Sequence, residues 1–357
     1  MDRLLRPHFR AVAPYTPIEP VEVLSRRLGI PDDAVIKLDG NENLYGPSPR
    51  ALEALARCAR YHIYPDPLQR DLRQALTAYT GLGVEHIVVG NGSDELIDLL
   101  MRLTLEPGDR VLTCSPTFGM YSFNAGVCAA TAVDIPRDAA FAVDAEAVAA
   151  AVDERTKLIL LPSPNNPSAN LLLRADLLRL LETGVLVVVD EAYAEFAGET
   201  AADLVPHYEN LVVLRTFSKW AGLAGLRVGY GLMAPRLAQL LDHIKPPYNV
   251  NVAGLVAALA SLEDLALLQE RVQAIAAERE RLYTLLQTVP YLRPYPSRAN
   301  FILCAVMERD ARGLKDALAG VGIFIRFFDT PRLRGSVRIS VGLPEHTDRL
   351  LAELRRM

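Results

Sequence analysis

The feature that most constrains the fold is the segment VLVVV at residues 185–189, which has no polar side chain on either face. A strand of this kind is stable only where both of its faces are covered. Similar apolar runs recur along the chain with helical segments between them. The seven predicted strands lie at residues 87–89, 110–113, 132–135, 157–161, 185–189, 211–214 and 228–233. The chain is therefore predicted to form an α/β fold with a mainly parallel seven-stranded sheet.

The C-terminal part departs from this alternation. After a long predicted helix come the elements of a small α+β domain, with strands at residues 300–306, 323–327 and 336–341 and helices at 309–319 and 345–355. The long helix is predicted at residues 262–287, and the proline-rich residues 1–30 are predicted to be irregular. The expected division is an arm and part of the small domain at 1–45, a large domain at 46–250 and a small domain at 251–357.

Composition argues against several classes of protein. The chain has 357 residues, a net charge of −5 and no basic run longer than a pair, which disfavours a nucleic-acid surface. Its four cysteines show neither a CxxC pair nor a zinc-binding spacing, so we expect free thiols and no metal site. The N-terminus lacks an apolar signal core, and no apolar run approaches the ~20 residues that cross a bilayer. These features predict a cytoplasmic protein.

Polar residues follow the predicted strands at their C-terminal ends. They are residues 90–94, Asn166, Asp190, Tyr193, Ser218 and Lys219. In a parallel sheet these ends meet at one edge, and ligands bind beyond that edge. The sequence therefore predicts that these side chains converge on one site.

Lys219 stands at the tip of a predicted buried strand, beside Ser218 and upstream of Arg227. An amine in this place can form a Schiff base with a carbonyl cofactor. The nearby hydroxyl and guanidinium groups can hold a phosphate. The alternative is a solvated loop lysine with a surface arginine.

The turn GNGSDE at residues 90–95 follows a strand and enters a helix. The free N–H groups of a helix start favour an anion, although Ser93 or Asp94 could simply cap this helix. Glu95 stands where a dinucleotide-binding turn needs glycine or alanine. A nicotinamide dehydrogenase is therefore disfavoured.

Asp190 directly follows the apolar segment of residues 185–189, and a buried carboxylate there needs a partner. The protonated ring nitrogen of a pyridine cofactor would be such a partner. Tyr193 and Asn166 could then bind the cofactor's phenolate. Asp190 could instead be a local turn former. Taken together, the groups are those that pyridoxal 5′-phosphate (PLP) requires.

Several motifs carry a resemblance that covers nearly the whole chain. Residues 163–167 (SPNNP), 189–193 (VDEAY) and 216–227 (TFSKWAGLAGLR) resemble those of fold-type I, class II PLP-dependent aminotransferases. Further segments resemble the histidinol-phosphate aminotransferase family. They are residues 38–49 (LDGNENLYGPSP), 64–65 (YP), 90–95 (GNGSDE), 117–121 (TFGMY) and 337–342 (VRISVG).

The resemblance implies a role for each matching residue. Lys219 would carry the Schiff base, Asp190 and Tyr193 would contact the ring, and Asn166 the cofactor oxygen. Ring stacking would fall to Phe118. The phosphate would be surrounded by Ser93, Asp94, Ser218 and Arg227.

The resemblance also implies a homodimer in which Tyr64 reaches the phosphate of the partner subunit's cofactor. Arg338 resembles the arginine that holds a substrate carboxylate. Side-chain or substrate-phosphate contacts are expected from Tyr15, Asn43 and Arg326. The chain departs from the family at residues 168–169, where Ser-Ala replaces the usual Thr-Gly.

The function that the resemblance implies is a transamination of histidine biosynthesis. L-Histidinol phosphate and 2-oxoglutarate would give imidazole acetol phosphate and L-glutamate, with PLP bound as a Schiff base on Lys219. The alternatives are a broad-specificity or aromatic aminotransferase, a PLP-dependent decarboxylase acting on threonine phosphate, and a PLP-binding regulator without catalytic activity.

Overall fold

The structure is a computed structural model that describes residues 2–10, 12 and 14–357. Its strands are β1 (Ile36–Leu38), β2 (Ile87–Gly90), β3 (Arg110–Thr113), β4 (Thr131–Asp134), β5 (Thr156–Pro162), β6 (Leu186–Asp190), β7 (Leu211–Thr216), β8 (Gly229–Met233), β9 (Leu292–Pro294), β10 (Phe301–Val306), β11 (Ile323–Phe327) and β12 (Ser336–Ser340). Its helices are α1 (Val21–Leu28), α2 (Pro49–Arg57), α3 (Arg70–Thr80), α4 (Ser93–Thr104), α5 (Met120–Val127), α6 (Ala145–Ala150), α7 (Arg174–Leu181), α8 (Ala194–Ala197), α9 (Pro235–Ile244), α10 (Val252–Glu263), α11 (Leu265–Leu286), α12 (Ala311–Gly320) and α13 (Pro344–Arg356).

The larger sheet is seven-stranded and has the order β2-β8-β7-β6-β5-β3-β4. Strands β7, β6, β5, β3 and β4 run parallel to one another, and β8 is antiparallel to both β7 and β2. Because β2 points the same way as the parallel strands, only β8 has its C-terminal end at the other edge. The predicted α/β fold with a mainly parallel seven-stranded sheet is confirmed.

Both faces of this sheet are covered, as its apolar strands require. Val187 and Val189 of β6 pack in the core cluster that contains side chains of α7 and α10. Val188, between them, packs on the opposite face with Leu96 and Leu100 of α4. All five side chains are at most 1% exposed. Because alternate residues of a strand point to opposite faces, a strand without polar residues can serve both core clusters.

The smaller sheet has the order β1-β11-β12-β10-β9. Strand β1 comes from the start of the chain and pairs in parallel with β11, while the remaining pairs are antiparallel. The prediction that residues 1–30 are irregular is wrong over α1. Leu24 of that helix is buried against Val35 and Phe324, so packing with β11 stabilises a helix that the flanking prolines concealed.

Helices α10 and α11 connect the two sheets. Arg279 of α11 donates from Nη1 to the carbonyl oxygen of Phe196 at 3.3 Å and to that of Ala299 at 3.2 Å, so it holds both parts of the chain. In the part of the chain that the structure describes, no single helix is long and apolar enough to cross a membrane. Only α10 and α11 taken together pass by length and composition, and an 85° bend separates them.

The helix starts agree only in part with the sequence prediction. Ser48, which precedes Pro49 and is for that reason predicted to be an N-cap, does cap α2, because its Oγ accepts the N–H of Ala51 at 3.2 Å. A helix is predicted from residue 96, but α4 begins three residues earlier, directly after Gly92, whose φ of 78° turns the chain into the helix without a side-chain cap. A helix is likewise predicted from residue 117, but α5 begins at Met120, which leaves Phe118 in the preceding loop.

Truncation of Leu160 tests the central packing. Leu160 lies in β5 and is 1% exposed, whereas Leu173 before α7 is 63% exposed. We expect Leu160→Ala to lower the free energy of unfolding by about 2–5 kcal/mol, because it leaves a cavity. The control Leu173→Ala should change it by less than about 0.5 kcal/mol. Urea unfolding followed by circular dichroism measures both values, and equal values would contradict the described core.

Candidate functional site

A cavity of about 820 Å³ lies at the carboxyl edge of the larger sheet, facing the smaller sheet. The loops after β2, β3, β5, β6 and β7 line it, together with residues of β11 and β12. Of the residues predicted for the site, those in its wall are Tyr15, Ser93, Asp94, Phe118, Asn166, Asp190, Tyr193, Ser218, Lys219, Arg227, Arg326 and Arg338. The side chains that were expected to converge are thus brought together.

Lys219 projects into this cavity three residues after the end of β7. Its Nζ donates to the carbonyl oxygen of Gly40 at 3.2 Å. Burial, together with the positive charge of Arg338, lowers the pKa of Lys219 to about 8. At neutral pH such an amine is uncharged in roughly one molecule in ten, against about one in a few thousand for an ordinary lysine. The site therefore favours a nucleophilic, proton-accepting amine.

Asp190 is the last residue of β6 and is 6% exposed. Its Oδ2 accepts the hydroxyl hydrogen of Tyr121 at 2.8 Å, and its Oδ1 accepts the N–H of Ala192 at 3.1 Å. The pKa of Asp190 is raised to about 6, mainly by burial and also by the negative charge of Asp94, while the two hydrogen bonds act to lower it. A cationic partner in the cavity would stabilise the ionised form.

Tyr193 packs edge-on against Phe301 with ring centroids 5.1 Å apart. Its hydroxyl accepts a hydrogen bond from Nδ2 of Asn41 at 3.0 Å. Burial raises the pKa of Tyr193, so the hydroxyl keeps its hydrogen and can donate to a ligand oxygen. Asn166 lies in the same wall, where its Oδ1 accepts from Nη1 of Arg338 at 2.6 Å.

The other end of the cavity gathers groups that bind anions. Helix α4 begins there with Ser93, and its first N–H groups have no partner within the helix. Arg227 donates to Asp94 at 3.0 Å, and the Thr216 and Ser218 hydroxyls are 2.9 Å apart. Helix N–H groups, a hydroxyl and a guanidinium together suit a phosphate.

Gly229 allows the start of β8 to pass close to the start of α4. A Cβ at Gly229 would lie 2.4 Å from the backbone nitrogen of Ser93, well inside van der Waals contact. Any residue other than glycine at position 229 would therefore collide with the start of α4. This contact holds the loop that carries Arg227 against the helix terminus.

The smaller sheet contributes two arginines to the cavity. Arg326 and Arg338 stand opposite each other on β11 and β12, and both guanidinium carbons lie 5.6 Å from the ring centroid of Phe328. Nη2 of Arg338 donates to the carbonyl oxygen of Asp39 at 2.5 Å, and that of Arg326 to Thr16 at 3.1 Å. Burial lowers the pKa of Arg338 to about 10, still far above neutral pH. Two adjacent positive charges favour an anionic ligand here.

Two residues predicted for the site lie outside its wall. Asn43 is buried, where its Nδ2 donates to the carbonyl oxygen of Trp220 at 2.9 Å and its Oδ1 accepts from Tyr45 at 3.0 Å. It therefore braces the segment that follows Lys219. Tyr64 is 80% exposed and stacks on Tyr248 with ring centroids 4.6 Å apart.

Sequence reasoning missed two side chains that act on the predicted ones, Tyr121 on Asp190 and Asn41 on Tyr193. Tyr121 lies three residues beyond Phe118 in the segment TFGMY, and that segment was the available signal. Asn41 stands in an Asn-rich loop that suggested binding groups without identifying which of its residues act.

The departure at residues 168–169 leaves a well-bonded turn. Ala169 adopts a left-handed φ of 61°, the conformation that favours the glycine usual in the family. Its N–H donates to the carbonyl oxygen of Asn165 at 2.7 Å, and Nδ2 of Asn165 donates to Ser168 at 2.6 Å. The serine therefore takes part in the turn that closes the SPNNP loop.

Comparisons with known proteins agree with this geometry. The family described as "Aminotransferase class I and II" matches residues 33–355. The chain is 52% identical to a histidinol-phosphate aminotransferase of Roseiflexus castenholzii, covering 99% of this chain and 98% of the relative. It is 49% identical to the chloroplastic histidinol-phosphate aminotransferase 1 of Arabidopsis thaliana, covering 99% and 86%.

Among solved structures, the histidinol-phosphate aminotransferase of Sinorhizobium meliloti in complex with pyridoxal-5′-phosphate superimposes with a TM-score of 0.88 at 31% identity. The match covers 99% of this chain and 96% of that one. The fold is that of the fold-type I PLP-dependent aminotransferases. The chain belongs to the histidinol-phosphate aminotransferase family of the class I and II aminotransferases.

Proposed function

We propose that this chain transfers an amino group between L-histidinol phosphate and 2-oxoglutarate with PLP as its cofactor, a step of histidine biosynthesis. One observation carries the proposal. Lys219, with its lowered pKa, shares a single cavity with the buried carboxylate of Asp190 and with the anion-binding groups at the start of α4. The activity in the names of the relatives supports the same reaction.

The residues of the cavity fit PLP. Asp190 is buried with a pKa of about 6 and needs a cationic partner, which a protonated ring nitrogen provides. Ser93, Ser218 and Arg227 suit the phosphate, and Phe118 offers an aromatic surface for the ring. When bound, PLP supplies an aldehyde that condenses with amines and a ring that withdraws electrons from the reacting carbon.

The side chains then have distinct tasks. Lys219 would hold the cofactor through its amine and, when that amine is free, would accept and return a proton at Nζ. Asp190 would keep a pyridine nitrogen protonated, because its buried negative charge favours a cation beside it. Tyr193 and Asn166 would bind the cofactor's ring oxygen and so orient the ring.

Arg326 and Arg338 are the proposed substrate-binding groups, with Tyr15 beside them. Tyr15 meets Phe118 edge-on with ring centroids 6.4 Å apart, at the mouth of the cavity. Two guanidinium groups suit a substrate pair in which one member carries carboxylates and the other a phosphate. We further propose that residues 1–45 and 251–357 form the substrate-binding unit, and residues 46–250 the cofactor-binding domain. The four free cysteines support the expected cytoplasmic location.

Direct assay of the purified protein tests the reaction. With PLP bound, L-histidinol phosphate should change the cofactor absorbance, and 2-oxoglutarate should restore it. Lys219→Ala should abolish turnover because no other group moves the proton, whereas the surface variant Lys315→Ala should retain it. If only aromatic amino acids are turned over, the chain is an aminotransferase, but histidinol phosphate is not its substrate. Release of CO2 from threonine phosphate would overturn the reaction class.

Arg227 can be tested through the cofactor's phosphate. We expect Arg227→Gln to weaken PLP binding about 10–100-fold, the loss typical of a hydrogen bond to a charged group. Binding of pyridoxal, which lacks the phosphate, should change little. Equilibrium titrations measure both affinities, with the exposed Arg236→Gln as the control. An equal loss for both ligands would mean that Arg227 does not bind the phosphate.

We propose that the active form is a homodimer in which Tyr64 reaches the partner subunit's site. Several large apolar side chains are exposed at residues 52–68, on either side of Tyr64 in the chain, as is Tyr248, on which Tyr64 stacks, and an interface would cover them. They are Leu52, Tyr61, Ile63, Leu68 and Tyr248.

Complementation between two inactive variants tests the shared site. Tyr64→Ala and Lys219→Ala should each have low activity alone. After subunit exchange in an equal mixture, about a quarter of the sites should combine an intact lysine with an intact tyrosine from the other chain. Activity should then recover to about a quarter of the unmodified value. If activity does not recover in mixtures that are shown to contain mixed dimers, Tyr64 does not contribute to the partner subunit's site.

A further inference from the structure

Tyr121 is a fully buried tyrosine of α5 whose hydroxyl reaches the wall of the cavity. It donates to Oδ2 of Asp190 at 2.8 Å. Burial raises the pKa of Tyr121 well above its ordinary value, and the charge of Asp190 adds to the effect. The phenol therefore keeps its hydrogen at neutral pH, and the carboxylate is the acceptor.

The ring of Tyr121 is held by packing. It lies edge-on to Phe118 with centroids 5.6 Å apart, and it belongs to the apolar cluster that includes Leu96 and Ala125. The packing of the ring thus directs the hydroxyl towards Asp190. Packing in the core therefore positions the Tyr121 hydroxyl for this hydrogen bond before any ligand binds.

The groups that face Asp190 have opposing effects on its charge. Asp94 from α4 and Glu191 next in the chain raise the pKa of Asp190, while Tyr121 and the N–H of Ala192 lower it. Tyr193 and Lys219 line the same cavity from the loops after β6 and β7. Among the side chains that act on Asp190, Tyr121 is the one that donates a hydrogen bond.

We propose that Tyr121 is a positioning residue that fixes the Asp190 carboxylate and keeps it ionised, an inference that rests on the proposed use of PLP. Asp190 would contact the cofactor ring, and Tyr121 would act only through Asp190. The residue therefore belongs to the cofactor site, in the wall of the cavity, although its ring is packed in the core.

The variant Tyr121→Phe removes the donor and keeps the ring. We expect the pKa of Asp190 to rise. PLP affinity falls at low pH, and the pH at which this fall begins should be higher by about one pH unit in the variant. At pH 6 kcat should fall about fivefold, with KM changed less than about twofold, because a pKa that moves from about 6 to about 7 lowers the ionised fraction of Asp190 there from about one half to about one tenth. Equilibrium titrations with PLP between pH 5 and 8 give the affinity profile independently of turnover.

Two further variants separate positioning from general damage. The control Tyr291→Phe removes a tyrosine hydroxyl that donates to the carbonyl oxygen of Leu354 at 2.5 Å. This control should leave the pH dependence of PLP affinity unchanged. In an Asp190→Asn background, adding Tyr121→Phe should not move the profile, because the titrating group is gone. A shift that persists in that background, or the absence of any shift with Tyr121→Phe alone, would overturn the inference.

A readout without cofactor distinguishes this inference from the proposed function. The pKa of Asp190 is raised from 3.8 to about 6 on folding, so the folded state binds more protons in that interval and stability falls as pH rises through it. With Tyr121→Phe the fall should extend to higher pH. If the unmodified protein neither binds PLP nor transaminates, the proposed function fails, and the unfolding profiles still decide whether Tyr121 controls Asp190.

Discussion

Burial of ionised groups at the end of an apolar sheet is the constraint on which the rest of the site depends. Asp190 and Glu191 follow each other at the end of β6 and point to opposite faces. Asp190 meets Tyr121 at the cavity, whereas Glu191, 2% exposed, pairs with Arg215 at 2.8 Å. A buried carboxylate without such partners would be strongly destabilising, so each carboxylate requires particular neighbours.

The same constraint joins the two sheets. Arg338 belongs to β12, yet its guanidinium is hydrogen-bonded to Asn166 from the loop after β5 and to the carbonyl oxygen of Asp39 after β1. One buried cation therefore connects three segments that lie far apart in the sequence. The larger sheet supplies the groups that suit the cofactor, while the smaller one supplies the charges that suit the substrate. A reaction between the two ligands then depends on how the sheets are held together.

The sequence predicted the residues whose positions are set by the C-terminal ends of strands. It missed the residues whose positions are set by tertiary packing. The polar residues that follow apolar strands were found correctly as a group, because parallel strands place them at one edge whatever the loops do. Helix α1 was missed because its stability comes from Phe324, about 300 residues away in the chain. Asn43 was expected at the substrate, but its neighbour in space is the carbonyl oxygen of Trp220. No local pattern distinguishes Asn41 from Asn43 before the fold is known.

The pairing of β1 with β11 has a consequence for synthesis on the ribosome. Every strand of the larger sheet lies before residue 234, so that sheet can form while the remainder of the chain is still being made. Strand β1 emerges first of all, yet its partner begins at Ile323. Closing so long a loop is entropically costly and slow, so residues 36–38 must wait unpaired until nearly the whole chain has emerged. Lys37, which forms ion pairs with Asp39 and Glu42 at 3.0 Å in the folded chain, lies at the centre of this strand, and a charged residue there disfavours pairing with other chains.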